Sequence, residues 1–482
     1  MSATETTVSA GYEPSPRYSQ AHHRAAERDG EIERGISQME MELSQPRLPS
    51  RNGPIGRPEV EEEGAEAVAQ ELKPVDRGRD AWCTLLAAFA FDALFWGFPG
   101  CYGVFQRYYS DVPEFKSDAV RIPVVGVLST GLYYFGSPFS AMLAQRFPRH
   151  QRRQIHIGWL LSIAGLLSAS FASSVDGLIA TQGALYGLGF VLISMPVVSM
   201  VNEWWVARKG MAFGLISASS GATGAVLPFV IDALLRRYGY RVTLRACAVA
   251  MAVLTGPLLP LLRARLPASD QASLARVDWG FLKQPLFWVY GSAVLVQGIG
   301  FFFPVVFLPS YASVFDISSV KGALLVSLMS VAQVLGQFAF GYLSDKSLPV
   351  SLLMTICCAF AAAASFTFWG LAKSLPLLAM FSLVYGFFAF GFGTMRVAMG
   401  RAVSDDPSTV FATYAMFVFL MGVGNILVGP LSAELVAPRP VVREHYAGNK
   451  YEPMVVLTGA TSFLAAFIVL AWHGCGGLLR RC

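Results

Sequence analysis

Charge is scarce in this sequence. Asp, Glu, Lys and Arg make up 14% of its 482 residues, where a water-soluble chain carries about a quarter. Histidine is nearly as rare: the six present never pair with a carboxylate at ligand spacing, which argues against a membrane-embedded enzyme. The seven cysteines lie in or beside apolar segments with no metal spacing. A disulfide framework is not expected of them. Cys357 and Cys358 read as small core residues, and Cys475, just past the last apolar run, as a free thiol rather than a palmitoylation site. No Gly-rich phosphate loop occurs, so nucleotide drive is not expected. The net charge of +5 is spread over short polar stretches, so no basic patch points to nucleic acid. No cofactor and no metal site are expected.

What fills the chain is hydrocarbon. Hydrophobic residues make up 54%, and mean hydropathy is +0.49. Residues 1–80 are polar, rich in Ser, Glu, Arg and Pro, and hold neither an apolar run nor a signal-peptide h-region. They read as a disordered cytoplasmic tail. Beyond them, apolar runs of about twenty residues recur, each able to cross a hydrocarbon core about 30 Å thick. Twelve spans are expected, at 82–103, 123–143, 155–171, 178–200, 211–235, 243–262, 287–311, 323–343, 350–371, 375–398, 411–431 and 453–472. They divide into a first group over 81–262 and a second over 287–474, joined by a polar loop at 263–286 and followed by a short C-terminus at 475–482. Arginines at 146, 149, 152 and 153 form the strongest inside signal. Both termini are therefore expected in the cytoplasm, although Arg236, Arg237 and Arg241 on the outside weaken the bias.

The stretch from Tyr186 to Arg241 organises the rest. Two apolar runs flank a polar turn with Arg208 and Lys209. The second run places Gly214, Ser217, Gly221 and Gly224 at three- and four-residue steps. On a helix these share a face that lets another backbone approach closely. Pro228 is expected to break that helix, and Gly239-Tyr240-Arg241 to turn the chain. A weaker copy follows about two hundred residues later, with Tyr385-Gly386 matching Tyr186-Gly187, then Gly422, Gly424 and Pro430. Gly136 and Gly336, each nine residues before a polar pair, repeat with a similar offset. Two related halves in parallel are a transporter architecture.

Few side chains within the spans can carry chemistry. Asp92 falls near the middle of the first span, where a charge is costly and normally faces a cavity or a partner. It reads as a proton-titrating or cation-binding group, against the alternative of a carboxyl that bonds two helices together. Arg396, near the inner end of span ten, suits an anion such as a carboxylate; the alternative is a side chain that snorkels to the surface. Gln333 and Gln337 share a face of span eight and offer uncharged hydrogen bonds, to substrate or to a neighbouring helix. Gln297 beside Gly298 is similar. Phe301, with Phe302, Phe390 and Phe392, lines a cavity on one reading and packs core on the other.

Taken in order, several pieces resemble the major facilitator superfamily, in its monocarboxylate-porter-like branch and fungal form. They are Asp80 and Trp82 opening the first span, Tyr102-Gly-Val-Phe-Gln-Arg-Tyr-Tyr109 closing it, and Gly136 with Pro138 in the second. Next come the aromatic-basic turn Asn202-Glu-Trp-Trp-Val-Ala-Arg-Lys-Gly-Met-Ala212, the Gly239-Tyr-Arg241 turn, Phe303-Pro-Val-Val-Phe-Leu-Pro-Ser-Tyr311 and Gly341 to Asp345. The match covers about 80–475, not the tail. Departures accompany it. The Asp-Gly-Gly opening of the family is missing, and Pro148 stands where the family has Gly. Gly100 stands where animal members place a lysine, and Gln333 and Gln337 where they place an Asp and an Arg. Those charges handle proton and carboxylate in such members.

The resemblance implies an all-α membrane protein, with two pseudo-symmetric six-helix bundles and no enzyme activity. It implies secondary transport of a small organic acid or related metabolite, with or without a coupled proton. Proton-antiport export of an apolar metabolite is the alternative, and a transport-inactive sensor the alternative of another class. It also implies gating loops that latch helix ends in one state, which here would involve Arg146, Arg152, Arg153, Arg208 and Asp345, with Gly221 and Gly224 on the moving face. The expected partners are the lipid bilayer, a small organic substrate and the proton. A monomer is expected to suffice, and the plasma membrane is the expected location, with the vacuolar membrane as alternative.

Overall fold

The computed structural model describes residues 74–266, 279–346, 348–428 and 451–479, with Leu431, Leu435 and Tyr446 between the last two stretches. Of the expected tail over 1–80, residues 1–73 lie outside these residues, as do the middle of the 263–286 loop, Pro430 and the C-terminal arginines; 74–80 are instead ordered, with Arg79 already opening the first helix and Asp76 tied to a distant turn by hydrogen bonds.

Among the described residues all regular structure is helical. Helix α1 (Arg79–Gly100) runs into α2 (Tyr102–Asp111), followed by α3 (Ile122–Arg146) and α4 (Gln151–Ala169). Short α5 (Val175–Leu178) continues through a π-helical stretch, Ile179–Leu185, into α6 (Tyr186–Trp204). Helix α7 spans Lys209–Thr255. The second half holds α8 (Pro285–Phe301), α9 (Phe303–Val314), α10 (Ser319–Leu343), α11 (Val350–Ala364) and α12 (Leu375–Thr394). It ends with α13 (Arg396–Val403), α14 (Pro407–Ile426) and α15 (Glu452–Leu479).

Nine helical runs among the described residues are long and apolar enough to cross a membrane. One of them, Lys209–Leu261, has 53 residues, about 80 Å of continuous helix if straight and far more than one crossing needs. It is divided at Gly239, whose φ of 74° and ψ of 172° are non-helical and suit a residue without Cβ. Helices α3 and α4 are more polar but have 25 and 19 residues, about 37 and 28 Å. The serine and threonine hydroxyls of α3 are satisfied by carbonyls of the same helix or of its neighbours. Ser129 and Thr130 both donate to the Gly126 carbonyl, and Ser140 donates to Val191 O on α6 at 2.8 Å. Such bonds remove much of the cost of polar groups in hydrocarbon.

Two sequence expectations change. Pro228 does not break α7: the helix passes through it, and the only non-helical residue is Gly239. A spanning helix tolerates a proline because neighbouring helices and local adjustment satisfy the freed carbonyl. The first span also does not end at 103. Its helix resumes as α2 to Asp111, because Phe105 and Tyr109 are fully buried while the face bearing Arg107 is exposed. Such an amphipathic turn is missed by a reading of apolar runs.

Apolar packing forms two clusters. One joins residues of 81–262 to a few from α13 and α14, and the other lies within 281–469. The repeat seen in sequence reappears as bonding. Tyr186 OH donates to Phe95 O at 2.8 Å, and Tyr385 OH donates to Phe301 O at 3.1 Å. The first bond has a clear cause. Pro99 has no N–H to offer the carbonyl four residues back, so Phe95 O takes its hydrogen bond from another helix. Thr458 does the same for Gly300 O at 3.3 Å, below Pro304. Tyr186→Phe should therefore strand a buried carbonyl, at a cost of about 1–3 kcal/mol. A lower melting temperature in detergent is expected, and unchanged melting would contradict this role for the hydroxyl.

Candidate functional site

Asp92 lies about 20 Å along α1 from its start. It is half-buried and accepts a hydrogen bond from Ser219 Oγ on α7 at 2.8 Å. Close packing brings the helices together: a Cβ at Gly97 would lie 2.9 Å from the Thr223 side chain. No Lys or Arg stands within 4.0 Å of Asp92 among the described residues.

From the second half comes Arg396, at the break between α12 and α13. It too is half-buried. Its Nη1 lies 2.9 Å from Met421 Sδ, its guanidinium is 6.0 Å from the Tyr414 ring centre, and its Nε is buried without a partner. The Tyr414 side chain also shares a hydrogen bond with it, but sulfur, a ring face and a neutral phenol do not cancel a guanidinium's charge. Arg396 and Asp92 are near enough for their charges to act on one another, and both act on Tyr133 and Tyr414. Beside them stands an aromatic wall. Tyr133 lies 4.7 Å from Phe190 and 4.8 Å from Trp96, and Trp96 lies 5.8 Å from Tyr134.

The other expected cavity residues are placed differently. Gln333 is 8% exposed, and its Nε2 donates to Ser220 Oγ on α7 at 3.0 Å. Gln337 and Gln297 are buried, each with Oε1 unpartnered. Phe301 packs on Phe390 at 4.6 Å within the second apolar cluster.

A second convergence lies where α7 begins. Asp345 Oδ1 and Oδ2 accept the backbone N–H groups of Gly210 and Met211, each at 2.7 Å, and Arg401 Nη2 lies 2.9 Å from Oδ1. The first N–H groups of a helix have no partners of their own and carry its positive end, so a carboxylate there is doubly favoured. Farther along, Gly214 and Gly221 face α10: a Cβ would lie 2.7 Å from Gln337 O and 2.9 Å from Ser330 O, respectively. Gly224 is looser, with only the Ser330 side chain at 3.3 Å. The matching contact of α3 with α14 uses Ser137, which donates to Ala415 O at 3.1 Å.

The basic loop takes no part in that fastening. Arg146, Arg152 and Arg153 are exposed, and it is Gln145 whose Nε2 donates to Ser408 O, at 2.9 Å. Arg208 is exposed and caps α7 through its backbone. Asp406 caps α14 by accepting the Thr409 N–H at 2.9 Å. Partial burial pushes its carboxyl up, but the hydrogen bonds from Ser408 and Thr409 outweigh this and hold it below the usual range. The cleft beside Gln145, Asn202 and Phe411 holds only about 190 Å³, less than a metabolite pocket. The sequence reading missed Ser219, Tyr414, Arg401 and Asp76. Of these only Arg401 carried a visible signal, a basic residue close after Arg396.

The profile of the Major Facilitator Superfamily matches residues 81–427, which is most of the chain. The chain belongs to that superfamily. As a member, it is a multi-pass membrane transporter. It is 24% identical over 397 residues to the MFS transporter asaE of Aspergillus flavus, covering 81% of this chain and 87% of the relative. Identity to the fujikurins efflux protein of Gibberella fujikuroi is 22%, covering 84% of each. Monocarboxylate transporter 2 of Mesocricetus auratus is 24% identical, with 80% and 83% covered. Among solved structures, the proton:xylose symporter XylE superposes with a TM-score of 0.61 at 12% identity, covering 81% of this chain and 95% of that one. At that identity the likeness concerns the fold.

Proposed function

We propose that this chain is a secondary transporter, built as two six-helix bundles, that moves a small organic metabolite with an acidic group and an apolar body. Twelve crossings follow if α3 and α4 span and α7 crosses twice. The substrate site is placed between the bundles, at Asp92 and Arg396. The observation that carries this reading is their convergence: two ionisable side chains from opposite halves, both partly accessible, with no ion-pair partner among the described residues. In hydrocarbon such groups face a cavity. Arg396 would hold the acidic group, the wall of Trp96, Tyr133 and Phe190 the apolar body, and Asp92 the coupled proton. Gln333 and Gln337 would act in the interface, and Asp345 with Arg401 would fasten the cytoplasmic ends. Both termini would then be cytoplasmic, with the plasma membrane as the host and a monomer sufficing.

Export by proton antiport is the second reading. It is favoured by the kinship to a fujikurins efflux protein and by Gly100, Gln333 and Gln337 at the positions where charges would serve a small carboxylate. Counterflow of a metabolite panel in proteoliposomes separates the two. Exchange of compact monocarboxylates would support the first, and exchange of large apolar compounds alone the second. No counterflow of any compound would leave a sensor.

A further inference from the structure

The turn from Glu203 to Met211 fastens four separated parts of the chain. Asp345 holds its far end, and Arg401, the second part, is joined to it through Asp345. Glu203 Oε2 accepts the backbone N–H groups of Arg265 and Leu266 at 2.9 and 3.1 Å, and Trp204 Nε1 donates to Arg263 O at 2.7 Å. The fourth part is the segment just before α1. Asp76 Oδ1 accepts the N–H groups of Val206 and Arg208 at 3.1 and 2.9 Å, and Oδ2 accepts that of Ala207 at 3.0 Å. The Asp76 N–H in turn donates to Trp204 O at 3.0 Å.

We propose that Asp76 is a positioning residue of the gate, whose carboxylate holds the turn in the shape that presents Gly210 and Met211 to Asp345. Donors along this turn are divided between two carboxylates, Asp76 for 206–208 and Asp345 for 210 and 211. Lys209 lies between them, 5% exposed and within electrostatic reach of both. Losing Asp76 would not strand these groups, because Val206, Ala207 and Arg208 are exposed and water can take the bonds. The fold should therefore survive while the position of the turn is lost. Asp76 has a φ of 58°, a left-handed conformation that Asp and Asn tolerate better than most residues and Gly tolerates best. That separates the carboxylate from the backbone: Asp76→Asn keeps the conformational tolerance, and Asp76→Gly improves it.

The proposal rests on the reading of this end as the cytoplasmic gate. The test uses the full-length protein in proteoliposomes carrying Ser199→Cys, a position lining the small cleft at this end. Labelling by a membrane-impermeant maleimide is corrected for the native cysteines with the parent protein. Asp76→Asn and Asp76→Gly should each speed labelling about five-fold, the size of a lost capping interaction, with melting close to that of the parent. Asp345→Asn should speed it at least as much. If only Asp345→Asn has an effect, Asp76 is not a positioning residue. A fall in melting temperature without faster labelling would make its role merely structural and overturn the proposal. If Asp345→Asn also changes nothing, it is the gate reading itself that fails.

Discussion

Asp92→Asn is expected to abolish pH-driven accumulation while leaving exchange of substrate for substrate intact. Amide and carboxyl have nearly the same volume, and the amide can still accept the hydrogen bond from Ser219. Packing of α1 on α7 is thus kept, and what is lost is the ability to take and release a proton. With one coupled proton, a pH difference of one unit supports about ten-fold accumulation, inward or outward. The variant should show none. Proteoliposomes with an imposed pH gradient measure the first property, and counterflow without a gradient measures the second. Full pH-driven accumulation by well-expressed Asp92→Asn would remove Asp92 from coupling and assign the coupled proton to another group. Loss of both activities together with lowered melting would instead assign Asp92 to helix packing.

Gly221→Leu should also have a large effect, through sterics alone. The nearest groups to an added Cβ are the Ser330 carbonyl oxygen and Val334 Cγ2, each at 2.9 Å. A backbone carbonyl cannot rotate away as a side chain would, so α7 and α10 must separate. Overpacking of this kind costs about 1–3 kcal/mol, which depletes the fastened arrangement by about five-fold or more. Transport should fall by a similar factor, and labelling at Ser199→Cys should rise. Phe229→Leu provides the contrast: Phe229 is 52% exposed on the same helix and should be tolerated. Equal tolerance at both positions would mean that the α7 and α10 backbones do not need their close approach.

Much of this protein was legible in the chain itself. Runs of about twenty apolar residues record the thickness of a bilayer, and the glycine steps after Lys209 record a close helix contact. The doubled Tyr-Gly pairs predict two related halves, and the structure gives both tyrosines the same task, bonding a carbonyl of another helix. Asp92 stood out because a lone carboxylate in hydrocarbon is costly.

Partners were not legible. Ser219 is 127 residues from Asp92, and Met211 is 134 residues from Asp345. Nothing in local composition marks one serine among many as the donor to an acid. Asp76 looked like tail because its neighbours are polar, yet three backbone N–H groups far along the chain claim its carboxylate. Pro228 looked like a helix end because its lost hydrogen bond was weighed without the neighbours that offset it. Solvent preference is a property of each residue and can be read along the chain. A hydrogen bond or a steric contact belongs to a pair, and only the folded chain determines which residues become pairs.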